Sequence, residues 1–291
     1  MILKYIIQDD KYNTINQVLK EEFRISSRLL TKIINNEKVL LNGHFCDTRK
    51  KPNLDDIIEV LLDLEEDNTN IKSTKMELNI LYEDNGLLVI NKPPRVAIHP
   101  SLRHYDNSLS NGVKYYFDKI GVKKKIRPVN RLDLDTSGLV VFAKNEYIQE
   151  CLINEMKTGK FYKEYVCIVK GTIKKKNGTI NAPITRKEKS IIERCVKNDG
   201  QKAITSYEVL QEYSNYSVIK CILETGRTHQ IRVHMAYIGH PILGDTLYGT
   251  KSDLINRQAL HCYNLCFNNP VTKKQLKLKS NIPTDMRKLI L

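Results

Sequence analysis

Between residues 78 and 223 the chain carries six strand-length apolar runs that do not alternate regularly with helices, and this spacing limits the folds open to it. The runs lie at 78–82, 87–90, 139–142, 162–169, 203–210 and 217–223, and they are rich in β-branched and aromatic residues. Apolar residues fall at helical spacing only near 107–120, 146–157 and 228–238. A parallel doubly wound sheet needs a crossover helix after nearly every strand, so the pattern disfavours it. The pattern predicts an α+β domain with a mixed, mainly antiparallel sheet and peripheral helices.

Residues 1–65 read as a separate small α+β unit. Ile15, Val18, Leu19 and Phe23 share a helical face, and Ser26 or Ser27 caps a second helix carrying Leu29, Leu30, Ile33 and Ile34. Strands follow at 38–43, ending in Asn42-Gly43, and at 57–62. The polar stretch 66–76 reads as a linker, and 77–291 as the larger domain. The net charge of +14 divides as −1, 0 and +15 over these three parts. Such an excess favours a polyanionic partner. Within the small unit, residues 24–51 hold a local net charge of +5, with Arg24, Arg28, Lys32 and Lys38 among the bases.

Other classes fall away. No apolar run is long enough to span a bilayer, and residues 1–10 do not read as a signal peptide, so a cytoplasmic protein is expected. The seven cysteines are scattered and odd in number, which reads as reduced thiols. His261, Cys262 and Cys266 lie close together, but no second ligand pair follows at zinc spacing, so no metal is expected. No glycine-rich nucleotide loop is present either.

Three segments carry candidate chemistry. At 131–139, Arg-Leu-Asp-Leu-Asp-Thr-Ser-Gly-Leu sets carboxylates on a tight turn before an apolar strand, a place where rigid scaffolds present reactive groups. Taken alone, it reads first as a plain turn whose Asp135 and Thr136 bond the local backbone. At 160–168, strand alternation puts Lys163, Tyr165 and Cys167 on one face. Tyr165 then either stacks on a base or packs in the core. At 224–235, Arg227, His229, Gln230, Arg232 and His234 follow a glycine turn without the spacing of a zinc protease. An arginine there that met the carboxylate would orient it.

Taken in order, these segments resemble the RluA-like, large-subunit-type RNA pseudouridine synthases. The resemblance runs through 81–93, His99-Pro100, 130–138, 163–165, 201–205, 225–234, 239–245, Tyr248-Gly249 and 259–261. The front unit resembles the alpha-L RNA-binding motif. The family resemblance implies a reaction that breaks the bond from ribose carbon-1 to uracil nitrogen-1, turns the base and rejoins it through carbon-5. That chemistry has no net redox change and implies no cofactor. The resemblance also implies that Asp133 is the essential carboxylate, Tyr165 stacks on the base, Arg232 pairs with the aspartate and Arg131 helps displace the flipped base. Asn130, Lys163, Arg227, His229 and Gln230 join Arg131 as candidate substrate contacts, and Arg24, Arg28, Lys32 and Lys38 as candidate RNA contacts. RNA is the expected partner, ribosomal large-subunit RNA ahead of transfer RNA, for a monomeric protein.

The sequence departs from the family at two places. Asn130 stands where histidine is usual, and Arg95 stands where glycine is usual, which puts the local turn conformation in question because an arginine is strained at positive φ. Asn130 keeps a donor and an acceptor but has no titratable ring. It supports the alternative of a catalytically silent RNA-binding or ribosome-assembly factor on the same fold. A glycosidase is a third reading; it needs paired acids flanking a sugar bond, whereas Asp133 and Asp135 point to opposite faces if extended.

Overall fold

Residues 1–290, described by a computed structural model, build a four-stranded sheet, a ten-stranded sheet and a two-stranded hairpin. The small sheet belongs to the N-terminal unit: β1 (Ile2–Ile6), α1 (Ile15–Glu21), α2 (Ser27–Asn35), β2 (Val39–Leu41), β3 (His44–Phe45) and β4 (Ile57–Leu61), in the order β1-β4-β2-β3. Thr14 and Gln17 close a capping box on α1, and Ser26 caps α2 by accepting from Leu29 N at 3.3 Å. Asn42 and Gly43, at φ 52° and 81°, make the tight β2–β3 turn that such a pair favours.

The segment read as a linker is strapped down rather than free. Glu66 sits between Lys32 (2.9 Å) and Arg127 (2.6 Å), with its side chain only 5% exposed. Asn68 donates to Lys124 O at 2.9 Å, and Asn111 donates to Lys72 O at 2.8 Å. The strap is thus held from both sides, by its own Asn68 on the backbone of the larger domain and by Asn111 of that domain on the strap's backbone.

That domain runs β5 (Ile80–Glu83), β6 (Leu87–Lys92), α3 (Leu109–Lys119), β7 (Arg127–Pro128), β8 (Ser137–Ala143), α4 (Glu146–Lys157), β9 (Tyr162–Lys170), β10 (Asn177–Asn181), β11 (Ile184–Arg186), β12 (Arg194–Val196), β13 (Ile204–Glu212), β14 (Tyr216–Leu223), α5 (Gln230–Tyr237), β15 (Leu260–Asn268), β16 (Gln275–Lys279) and α6 (Thr284–Arg287). The sheet path is β10-β13-β14-β9-β15-β8-β6-β5, with β16 beside β15 and β7 beside β8. The fold is thus α+β, with a mixed and mainly antiparallel sheet. Its one parallel pairing among the described residues joins β15 to β8, His261 opposite Ser137 and Cys262 opposite Gly138. β8 is buried along its whole length and anchors the core.

At that junction the backbones come very close. Gly138 has φ 114°, and a Cβ there would lie 2.2 Å from Cys262 O, so only glycine fits. His261 is buried beside it, with Nδ1 2.9 Å from Ser137 Oγ and Nε2 2.8 Å from Ser280 Oγ. Burial, helped by the Arg257 charge, holds the ring down at about 4. The folded protein therefore keeps His261 neutral where the unfolded chain protonates it. That contribution is full above the ordinary value near 6.5 and is lost as pH falls toward 4. We expect His261 to remove up to about 3 kcal/mol of stability across that window. Denaturant unfolding at a series of pH values checks this: His261→Gln should flatten the slope, and an identical slope in both proteins contradicts it.

Candidate active site

Asp133 lies in the loop that joins β7 to β8, and this loop is fixed by its own Asn130 and by three side chains from other parts of the chain. Asn130 donates from Nδ2 to Leu139 O at 3.0 Å and accepts from Val141 N at 2.8 Å, so its amide behaves as an extra peptide group beside β8. The ammonium of Lys92, fully buried, donates to Pro93 O (2.9 Å), Val96 O (2.8 Å) and Leu134 O (2.9 Å). Burial pulls Lys92 down to about 7 against the charges of Asp135 and Asp133, while three carbonyl acceptors match the three donors of its protonated form. Arg257 donates to Asp135 O at 3.1 Å and is itself held by Asp285 at 2.6 and 2.9 Å. Gln258 donates to Thr136 Oγ1 at 3.1 Å.

The arginine facing the loop comes from α5. Arg232 Nη1 donates to Asp133 Oδ2 at 3.0 Å. Its Nε and Nη2 form a bidentate pair with Asp245 at 2.7 and 2.9 Å. Asp245, whose side chain is fully buried, also accepts from Leu247 N and Tyr248 N at 3.0 and 3.2 Å. Burial alone would raise the Asp245 carboxyl, but Arg232 outweighs it and holds the group below its ordinary value. Burial likewise opposes the Arg232 charge, and its two carboxylate partners outweigh it, so that guanidinium is raised.

The remaining residues close the site. His229 caps α5 in the left-handed conformation, φ 58°, a strained choice for a histidine. Its Nε2 stands 3.9 Å from Asp133 Oδ1, and its Nδ1 lies 2.8 Å from Tyr248 Oη. Burial lowers the imidazole more than Asp133 raises it. The Arg232 guanidinium packs over the Tyr248 ring at 5.0 Å. Tyr165 is 5% exposed, and burial raises its phenol well above the usual range, with the neighbouring Cys262 adding to the effect. Burial lowers Lys163, whose ammonium lies close to Gly226.

A cavity of about 720 Å³ opens over this arrangement. It is lined by Asp133, Tyr165 and Arg232 and by all six expected substrate contacts, Asn130, Arg131, Lys163, Arg227, His229 and Gln230. Their parts differ. Arg131 is exposed at the cavity wall. Arg227 bonds Lys202 O at 3.0 Å and Gln201 Oε1 at 3.1 Å. The Gln230 side chain ties the 225–227 turn to β13 through Thr225, Arg227 N, Ile204 O and Thr205. Asn130, though at the wall, directs its amide to the backbone.

The expected RNA contacts of the small unit lie apart from the cavity. Arg24 is exposed at φ 55°, and Lys38 is half-buried. Arg28 approaches Glu146 at 3.8 Å, and Lys32 pairs with Glu66 and Glu146. Arg95 takes φ 64°, the positive value expected where glycine is usual. Lys92, Asp245, Tyr248 and Arg257 had no assigned role in the sequence reading. Among the described residues, no group of His, Cys, Asp and Glu is placed to hold a metal.

The mainly antiparallel α+β architecture is the fold of the pseudouridine synthases. The chain belongs to the RNA pseudouridylate synthase family, whose model matches residues 86–237. It is 40% identical over 270 residues to the uncharacterized RNA pseudouridine synthase YjbO of Bacillus subtilis, covering 92% of this chain and 95% of that one. It is 35% identical over 278 residues to ribosomal large subunit pseudouridine synthase D of Blochmanniella floridana, covering 88% and 87%. The structure of human RNA pseudouridylate synthase domain containing 1 superposes with a TM-score of 0.60 at 26% identity, covering 70% of this chain and 83% of that one.

The bonds of Asn130 generate a test. Asn130→Ala strips partners from two buried backbone groups beside the Asp133 loop and should cost about 3 kcal/mol in urea unfolding. A loss below about 1 kcal/mol contradicts the backbone role.

Proposed function

We propose that Asp133 carries the isomerisation of uridine to pseudouridine, acting within ribosomal large-subunit RNA. One observation carries the assignment: Arg232, fixed by Asp245 on one side, turns its remaining edge to Asp133 inside the cavity. Asp133 Oδ2 is engaged by Arg232, and Oδ1 has no donor closer than the histidine at 3.9 Å. Oδ1 is then the oxygen that addresses the ribose of a flipped uridine. Tyr165 stacks on the uracil, and its un-ionised phenol at neutral pH suits contact with a base beside a carboxylate. Arg131, at the exposed wall, fills the space the uridine leaves, and Lys163, Arg227 and His229 surround the nucleotide. Asn130 and Gln230 act by holding backbone. Base flipping costs a few kcal/mol, which contacts from the basic domain offset.

The choice of ribosomal RNA rests on relatives named ribosomal large subunit pseudouridine synthase D, 33–36% identical to this chain. That substrate locates the enzyme in the cytoplasm, where it acts as a monomer. No described helix is long and apolar enough to cross a membrane. The N-terminal unit serves as an alpha-L-type RNA-binding module, with Arg24, Arg28 and Lys38 available to phosphates. Lys32 is already committed to Glu66 and Glu146.

Asp133→Asn should abolish pseudouridine formation, scored as a carbodiimide-dependent primer-extension stop, while RNA affinity stays within about a factor of three, since one neutralised carboxylate removes no phosphate contact. An active Asp133→Asn enzyme sinks the assignment. Pseudouridine mapping in cells lacking the protein should show sites lost from large-subunit RNA. Losses confined to transfer RNA would overturn that choice of substrate.

A further inference from the structure

The helix α5 has a cavity at each end. His229 and Arg232 near its start line the cleft already described, and Tyr237 and Ile238 at its end line a second cavity of about 530 Å³. Nine residues of helical rise separate His229 from Ile238, on the order of 13 Å. Lys174 and Lys175 from the β9–β10 connection, Gly178 on β10, Tyr207 on β13, and His240 complete the principal wall. No aspartate or glutamate lines it. Lys176 is paired with Glu212, but neither Lys174 nor Lys175 has a carboxylate partner among the described residues, and both are exposed. Tyr237 is 62% exposed, an unusual position for so large a ring. Tyr207 lies across Gly178, where any side chain would meet the ring at 3.0 Å, so the glycine makes room for it.

Unpaired ammonium groups beside an exposed aromatic ring, with no acid in the cavity wall, are the chemistry of single-stranded nucleic acid binding: phosphate on lysine, base on ring. We propose that this second cavity is a subsite for an unpaired nucleotide of the substrate RNA, flanking the target uridine, with its base stacked on Tyr237 and its phosphate held by Lys174 and Lys175. The proposal rests on RNA being the substrate. The length of α5 sets the separation of the two sites, a distance that a few nucleotides bridge. The subsite acts on binding and not on the chemical step.

The test uses the full-length protein with two probes, a fluorescein-labelled oligouridylate and large-subunit ribosomal RNA from cells lacking the enzyme. Tyr237→Ala should weaken oligouridylate binding and raise KM for the RNA by roughly 5- to 150-fold, with kcat at saturating RNA unchanged. Tyr237→Phe should match the wild type, because the Tyr237 hydroxyl has no hydrogen-bond partner among the described residues. The double variant Lys174→Gln, Lys175→Gln should reduce the slope of log affinity against log salt by about 0.7, the value for one phosphate contact on a single strand. Unchanged KM, affinity and salt slope overturn the subsite and leave the cavity to a protein partner. A Phe variant as weak as the Ala variant, or a fall in kcat alone, overturns it in favour of a structural role for α5. A wild-type enzyme that forms no pseudouridine in this RNA refutes the proposed substrate instead, and the oligouridylate measurements then decide the subsite by themselves.

Discussion

The buried guanidinium of Arg232 is the group on which the cleft depends. Taking such a charge out of water costs several kcal/mol unless its donors are matched. Asp245 supplies that match with two hydrogen bonds on one edge, and its own remaining capacity is filled by backbone N–H groups of residues 247 and 248. The pair is therefore self-consistent before Asp133 is considered. Of the three N–H groups that remain, one on Nη1 is aimed at Asp133 Oδ2. The direction is set by buried geometry and does not rely on the flexibility of a surface arginine. Asp133 keeps partial solvent access at 25% while its partner is only 8% exposed, an arrangement that favours a preorganised carboxylate.

The other half of that geometry comes from the loop. Lys92 from β6 and Arg257 and Gln258 from the approach to β15 bond its backbone or its Thr136 hydroxyl, while its own Asn130 ties it to β8. The parallel contact of β15 with β8 makes this possible, since it brings residues 257–262 against residues 135–138. Gly138 permits the close approach, and His261 fills the space beside it. The centre of the sheet and the placement of Asp133 are thus one packing problem, and a change at the strand junction is felt at the carboxylate.

Much of this was legible in the sequence. The six strand runs and three helices of the larger domain recur at nearly the expected positions, because their apolar residues are spaced with one dominant period. β15 was not anticipated, although it lies at the middle of the sheet. His261, Tyr263 and Asn264 interrupt its apolar pattern, and those residues are explained only by partners distant in sequence. β1 was missed for a different reason: Ile2 and Ile6 are 55% and 48% exposed while Leu3 and Ile7 are buried, so apolar residues occupy both faces and no alternation appears. All nine residues expected in the cleft line it, yet the roles of Asn130 and Gln230 could not be read, because their amides bond backbone that sequence alone does not bring near. Asp245 was given no role. Nothing local distinguishes it until Arg232 is placed 13 residues earlier on α5.

Asn130 also bears on the departure from the family pattern. A histidine offers one donor and one acceptor on opposite sides of a rigid ring, whereas an asparagine offers both on one amide plane. In this chain that plane spans Leu139 O and Val141 N, two groups on one strand. The substitution therefore gives up a titratable ring and retains the fixing of the loop. The position then has no proton to exchange with substrate, and its contribution is made entirely through the backbone of β8. The same logic accounts for Lys32 and Glu66 at the other end of the molecule. A base that looked free for phosphate is engaged by a carboxylate that Arg127 also holds, and burial's tendency to raise Glu66 is overcome by Arg127 and Lys32, which bring it to about 2. With that carboxylate charged, α2 is tied to the larger domain, and the basic half of the small unit is carried at a set position relative to the cleft.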